Sequence, residues 1–206
     1  LSLIVIFVEI GILTVREGNI IKNIENPDYH LIASKKDIEI RDYAPMIVAE
    51  VEVSGERQRA IREGFTMLAD YIFGNNISDK NIGMAAKVTH EESEKIAMTA
   101  PVMQQQHRDK WKIRFMMPKK YSLKTLPKPK SKDVVLIALP AQRYAVLRFS
   151  GLPDDDNIKQ HLEELQAYIS AETWKVRGGP ILAFYNPPWT LPFLRRNEVM
   201  VEIEVD

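Results

Sequence analysis

Apolar and polar positions along this chain follow two alternating periods, and the order of those periods predicts an α+β fold. Between Ala49 and Val53, apolar residues alternate with Glu50 and Glu52, the pattern of a half-buried strand. After Ser54-Gly55 the period lengthens: Ile61, Phe65, Leu68 and Ile72 recur on one face of a helix over residues 56–73. Gly74-Asn75-Asn76 supplies residues that tolerate positive φ at its C-terminus. The same succession then returns. Residues 144–149 form an apolar-rich run, Ser150-Gly151 closes it, and Ile158, Leu162, Leu165 and Ile169 mark a second helical stripe. Ser54 and Ser150 are 96 positions apart, Ile61 and Ile158 are 97 apart, and Tyr71 and Tyr168 are in the same register as the stripes. Two such copies predict a pseudo-twofold duplication of a β-α-β-β unit, a scaffold whose halves leave a cleft where they meet.

The remaining segments complete each copy. Residues 29–35 and 38–41 read as strands with Asp37 near the turn, and Pro45 confines the next strand, 46–53, to an edge position or to starting just after it. Residues 77–86 read as loop. Residues 96–104 and 111–117 read as a hairpin with a polar tip at 105–110. In the second copy, strands at 134–139 and 144–149 precede the helix, and strands at 181–185 and 198–205 follow it. Residues 119–132, rich in lysine and proline without apolar period, have the composition of a linker.

Composition narrows the function classes. The 206 residues are 45% hydrophobic and 27% charged, as in an ordinary globular domain, and Lys plus Arg equals Asp plus Glu at 28 each. No global field draws the chain to nucleic acid, which is not expected as a partner. There is no cysteine, so disulfides, thiolate nucleophiles and cysteine-ligated metals are excluded. Residues 1–15 are almost wholly apolar, with Glu9 the only charge. They read either as a truncated signal peptide or membrane anchor, followed by a polar linker at 16–27, or as an element packed on the domain. The first reading places a domain at 28–206 in the periplasm, or anchored and facing outside; otherwise the protein is cytoplasmic.

No phosphate loop, nucleophile elbow, zinc helix or calcium loop is present, which argues against an enzyme. His30, His90 and His107 read as surface histidines, and His161 as a packed, hydrogen-bonded one. Asp154, Asp155, Asp156 and Asn157 suit a helix N-terminus better than a hard cation. Met98, Met103, Met116 and Met117 cluster at the central strands; thioethers can ligate haem iron, but methionine is also common core filler.

Longer motifs add a resemblance. Residues 95–102 (KIAMTAPV) and 185–199 (YNPPWTLPFLRRNEV), with Tyr43-Ala44-Pro45, Gly64-Phe65 and Tyr71-Ile72-Phe73-Gly74-Asn75, resemble the signature stretches of the SOUL haem-binding family over about residues 28–206. The resemblance implies a distorted antiparallel β-barrel flanked by two helices, and non-covalent binding of haem or another tetrapyrrole as buffer, carrier or sensor. It also implies a likeness to the ligand-binding domain of some multidrug-sensing regulators, and hence an alternative: a sensor or interaction module for another amphipathic molecule. The implied site lies between the first helix and the loop before the last strand. On this chain Arg62, Thr66, Ala69 and Phe73 form a helical stripe beside Phe65, opposite Trp189, Phe193 and Arg195. Phe65, Ala69, Trp189 and Phe193 would be apolar walls, and Arg62, with Arg195 or Arg196, would meet a propionate. The competing reading is that residues 186–197 turn the chain, with Arg195 and Arg196 bonded to backbone or to Glu198. No histidine or methionine lies on the stripe, so no axial ligand is evident.

Overall fold

Strand-period residues supply one continuous sheet, and helix-period residues pack on one side of it. The computed structural model describes residues 24–78 and 93–204. The chain order is β1 (Tyr29–Lys35), β2 (Ile38–Tyr43), β3 (Met46–Ser54), α1 (Arg57–Ile72), β4 (Asn76–Ile77), β5 (Val102–His107), β6 (Lys110–Met116), β7 (Lys128–Pro129), β8 (Val135–Leu139), β9 (Gln142–Phe149), α2 (Asp155–Ala171), β10 (Val176–Phe184), a 3-10 turn (Pro192–Leu194) and β11 (Asn197–Ile203). His90 and the apolar start at 1–15 lie outside the described residues, as does most of 16–27. Among the described residues no helix is long and apolar enough to cross a membrane.

Nine strands form an antiparallel sheet in the order β1-β2-β9-β11-β10-β5-β6-β3-β8. The sheet is an open half-barrel, because edge strands β1 and β8 pair only with β2 and β3. Around the central β10–β5 pair the order is symmetrical: β9-β11-β10 on one side answers β3-β6-β5 on the other. Strand β2, which precedes β3, pairs with β9, while β8, which precedes β9, pairs with β3. Each side therefore borrows one strand from the other's sequence.

Helix α1 packs on β3 and β6, where Leu68, Phe65 and Ala60 meet Val51, Ile113 and Phe115. Helix α2 packs on β9 and β11 through Ile158, Leu165 and Ile169. Both helices lie on the same face. Residues of alternate parity, among them Tyr43, Val48, Met103, Tyr144, Val146 and Met200, form a third cluster on the opposite, concave face.

Several segments differ from the sequence reading. The strand expected at 96–104 begins only at Val102, since Pro101 has no amide to give a ladder and Ile96 instead donates its N–H to the Ile72 carbonyl at the end of α1 (2.8 Å). The β5–β6 turn is shorter than the polar tip expected, closing between His107 and Lys110 with Arg108 at φ 59°. The glutamines belong to the strand: Gln105 donates to Gly179 O (2.9 Å) and accepts from Arg114 (3.1 Å). The lysine-rich stretch is tied down rather than a free linker, with Leu126 buried and Tyr71 donating its hydroxyl to Pro127 O (2.8 Å). Strand β10 starts earlier than expected, passing a bulge between Arg177 and Ile181 where Gly178 has φ 71°.

Candidate functional site

Two regions are candidates: the outer flank of α1 facing the β10–β11 connection, and the concave face of the sheet. The first is where the sequence pointed, and only part of it is accessible. On α1 the buried positions are Ala60, Gly64, Phe65, Leu68, Ala69, Tyr71 and Ile72. Small residues at 60 and 64 let the helix settle close to the sheet, and the buried face centres on Gly64 and Leu68. That roll puts Ala69 in the core at 0% exposed, and Phe65 at 5%, edge-on to Phe115 with ring centroids 5.2 Å apart. Neither is an accessible wall. Arg62, Thr66 and Phe73 are exposed, although the Thr66 hydroxyl is used on the Arg62 carbonyl (2.8 Å).

In the β10–β11 connection, Trp189 and Phe193 are 47% and 71% exposed, and Leu191 and Leu194 are exposed beside them. Arg195 is not available as a carboxylate fork: its Nε donates to Thr190 O (2.8 Å) and its Nη2 to Pro188 O (2.5 Å). It holds the turn, as the competing reading required. Arg196 is likewise spent on Glu198.

Loop and helix converge on the turn between β9 and α2. Gly151 N–H donates to Pro192 O (2.9 Å), Asn197 Nδ2 to Gly151 O (3.1 Å), and Arg57 in the first turn of α1 to Pro153 O (3.4 Å) and Asp155 (2.7 Å). Arg62 lies about 7–8 Å further along α1 and Phe73 about 24 Å, at 1.5 Å per residue. The N-terminal half of α1, carrying Arg62 with Thr66 one turn beyond, is therefore the part nearest the loop. Asp154 caps α2 by accepting from the Asn157 N–H (2.9 Å), which is the helix-end role expected for the acidic run.

The concave face went unremarked in the sequence because both faces of its strands are apolar there. A cavity of about 150 Å³ opens on it, lined by Tyr43, Tyr144, Tyr185, Met46, Met103, Met200 and Ile181, with Gln105, Gln142, Arg114 and Glu202 as polar members. The signal available was parity: Tyr144 and Val146, or Met200 and Glu202, alternate with the residues under α2.

Deeper on this face sits a closed ionic network. Arg41 and Glu198 are 2% and 0% exposed, and Arg41 Nη1 donates to both carboxylate oxygens of Glu198 (3.1 Å each) and to Tyr43 Oη (2.9 Å). Arg41 Nε donates to Glu39 (2.6 Å), Arg196 adds bonds to Glu198 (2.8 and 3.0 Å), and the Tyr185 hydroxyl donates to Glu198 (3.0 Å). Burial is the largest single influence on Arg41 and opposes its charge, but Glu198, Tyr43 and Glu39 together outweigh it and hold the guanidinium pKa above its ordinary value. Burial, with Glu198 adding to it, pushes the Tyr43 phenol up to about 12; burial and Glu202 do the same for Tyr144, also to about 12. Tyr185 is raised for the same reasons as Tyr43. All three are neutral phenols at physiological pH.

The residues present fit a tetrapyrrole better on the flank than in the cavity. The cavity is small, below the ~300 Å³ at which pockets for drug-sized ligands begin. The flank has a cation at Arg62 and exposed aromatic surface at Trp189 and Phe193. Ligands for iron are scarce. Among the described residues no three His, Asp or Glu side chains group as a metal site. His161 is stacked on Phe149 at 4.3 Å and bonded to Asn157 O (2.7 Å) as expected, His30 is exposed on β1, and His107 lies 3.7 Å from Glu52. Met103, Met116 and Met117 are buried and Met98 packs against the α1 core. One thioether on the surface of α1, Met67, stands about 100° round from Thr66.

Comparison with known proteins agrees with the fold. The C-terminal domain of EcmrR superposes with a TM-score of 0.60 at 8% identity, covering 86% of this chain and 99% of that one. A hydrolase from Listeria innocua superposes with a TM-score of 0.53 at 13% identity, covering 84% of this chain and 94% of that one. At such identities the likeness is one of fold alone. No curated protein sequence matches the chain. The SOUL heme-binding protein family matches over residues 24–202, nearly the whole described chain, and the protein belongs to that family.

Proposed function

We propose that this protein binds haem or another tetrapyrrole non-covalently, without catalysis, on the surface between the N-terminal half of α1 and the β10–β11 loop. The observation that carries the reading is the group of large, exposed apolar side chains on that loop, Leu191, Phe193 and Leu194 with the partly exposed Trp189, in a chain of a haem-binding family. A planar macrocycle would cover Trp189 and Phe193, and Arg62 would pair with a propionate. Buffer, carrier and sensor roles all follow from reversible binding at an open surface. The apolar run at 1–15 would export or anchor the domain to the outer side of a membrane.

Hemin titration followed by its absorption band and by Trp189 fluorescence tests the reading. Saturable binding is expected, weakened about tenfold or more when Trp189→Ala and Phe193→Ala are combined, since aromatic contacts are worth ~1 kcal/mol each beyond their area. A spectrum equal to that of hemin with an inert protein, or wild-type affinity in the double variant, would overturn it.

A further inference from the structure

The cavity on the concave face has a chemistry of its own. Its walls are aromatic and thioether surface: Tyr43 and Tyr144 stand edge-to-face with centroids 5.6 Å apart and planes at 84°, and Tyr185, Met103 and Met200 close the sides. Faces of neutral phenol rings attract cations, and sulfur adds polarizable contact. The molecule already uses this attraction next door, where the Arg196 guanidinium lies 3.8 Å from the Tyr185 ring centre and Arg41 lies 4.5 Å from that of Tyr29.

Two charged side chains line the cavity, and they differ in what they have left to offer. Arg114 is committed: Nε donates to Glu50 and Nη1 to Gln105. Glu202 is half-buried at the wall beside Tyr144, and no ion pair or hydrogen bond claims its carboxylate among the described residues. Glu50 pairs with Arg114 and also lies 3.6 Å from Lys112, so among the described residues the cavity-lining charge with no partner of its own is the Glu202 carboxylate. An anion would find the Arg114 guanidinium already engaged through Nε and Nη1 and would face Glu202. A cation would gain ring faces and a carboxylate.

Size limits the occupant further. A cavity of about 150 Å³ matches the volume that, in an apolar protein interior, holds benzene. We propose that the concave cavity binds a small organic cation of the quaternary ammonium class, boxed by Tyr43, Tyr144 and Tyr185 and neutralised by Glu202. This site is separate from the α1 flank and does not depend on tetrapyrrole binding there.

Methyl NMR of the methionines gives a direct test, using tetramethylammonium and choline as probes. Saturable shifts are expected at Met46, Met103 and Met200, while Met67 on the far face stays still. The neutral isostere 3,3-dimethylbutan-1-ol should bind at least about tenfold more weakly, because the charged contact with Glu202 is lost. Glu202→Gln should weaken choline by a similar factor without moving the amide spectrum of distant residues. Three results would overturn the proposal: no saturable shift of the cavity methyls, equal affinity for the neutral isostere, or stronger shifts with acetate or phosphate than with choline. The isostere and anion comparisons use the wild-type chain and hold even if the variant fails to fold. Protein preloaded with hemin should give the same choline shifts; competition would mean a shared site and would overturn the assignment, while absence of hemin binding leaves it standing.

Discussion

Glu198 is the residue on which most of the buried charge depends. It accepts from Arg41, Arg196 and Tyr185 in an interior where, among the described residues, Arg196 and Tyr185 have no other carboxylate and Arg41 has only Glu39 besides. Removing one member of a buried ionic group leaves its partners charged and unsolvated, at a cost of about 3–5 kcal/mol. Glu198→Gln is therefore expected to lower unfolding stability in urea by about that amount with little change in the slope of the transition. The partly exposed pair Asp42–Arg143 across β2 and β9 contrasts with it, despite a bidentate geometry of 2.6 and 2.7 Å. Its hydrogen bonds with Arg143 hold the Asp42 carboxyl below its ordinary 3.8. A carboxyl depressed in the folded state contributes stability above pH 3.8 that disappears as pH falls through the lower, folded value. A double-mutant cycle with Asp42→Asn and Arg143→Gln should give a coupling of about 0.5–1 kcal/mol at neutral pH and none in strong acid. Sequence raised both options for Arg195 and Arg196, a ligand fork or backbone and Glu198 partners. Only the fold chooses, because carbonyls at 188 and 190 reach Arg195 once the loop has turned.

At the scale of elements, Gly64 fixes how α1 sits. A Cβ there would stand 2.8 and 2.9 Å from Ile113 side-chain atoms and 3.0 Å from Val51, and both neighbours are themselves fully packed. Gly64→Ala gains helix propensity of about 1 kcal/mol and loses ~1–3 kcal/mol to overpacking, so a net change between none and about 2 kcal/mol of destabilisation is expected in thermal or urea unfolding, and no net stabilisation. Should the helix roll to relieve the clash, Phe65 fluorescence-silent packing on Phe115 would loosen, which ring-methyl NOEs to Ile113 would report. The bounds of α1 were legible to within a residue, and the start of α2 likewise, because Ser54-Gly55, Gly74 and Asp154 are local signals. The roll was not legible. Taking Ile61 as a facing residue and Ala69 as a flanking one follows from hydrophobicity, whereas close approach at Ala60 and Gly64 rewards small residues that a hydrophobic stripe ignores.

For the whole molecule, strand order is the feature that makes two distinct surfaces. Helices on one face of the half-barrel leave the other face to line a cavity, and the β10–β11 loop carries its apolar residues to the rim near α1. The amino-acid sequence by itself determined the α+β class, the order of the nine main-sheet strands and two helices, the bounds of α1 and, through its long motifs, the family. These are local properties: hydrophobic period, turn chemistry and contiguous residues are written in neighbouring positions. Tertiary structure alone decided that the sheet stays open, that Phe65 and Ala69 are core, that Arg195 is spent on its own turn, and that Tyr43, Tyr144 and Glu202 share a cavity. Each of these depends on which face of a two-sided apolar strand meets a helix and on pairings between residues far apart in the chain, such as Arg41 with Glu198, that no local period encodes.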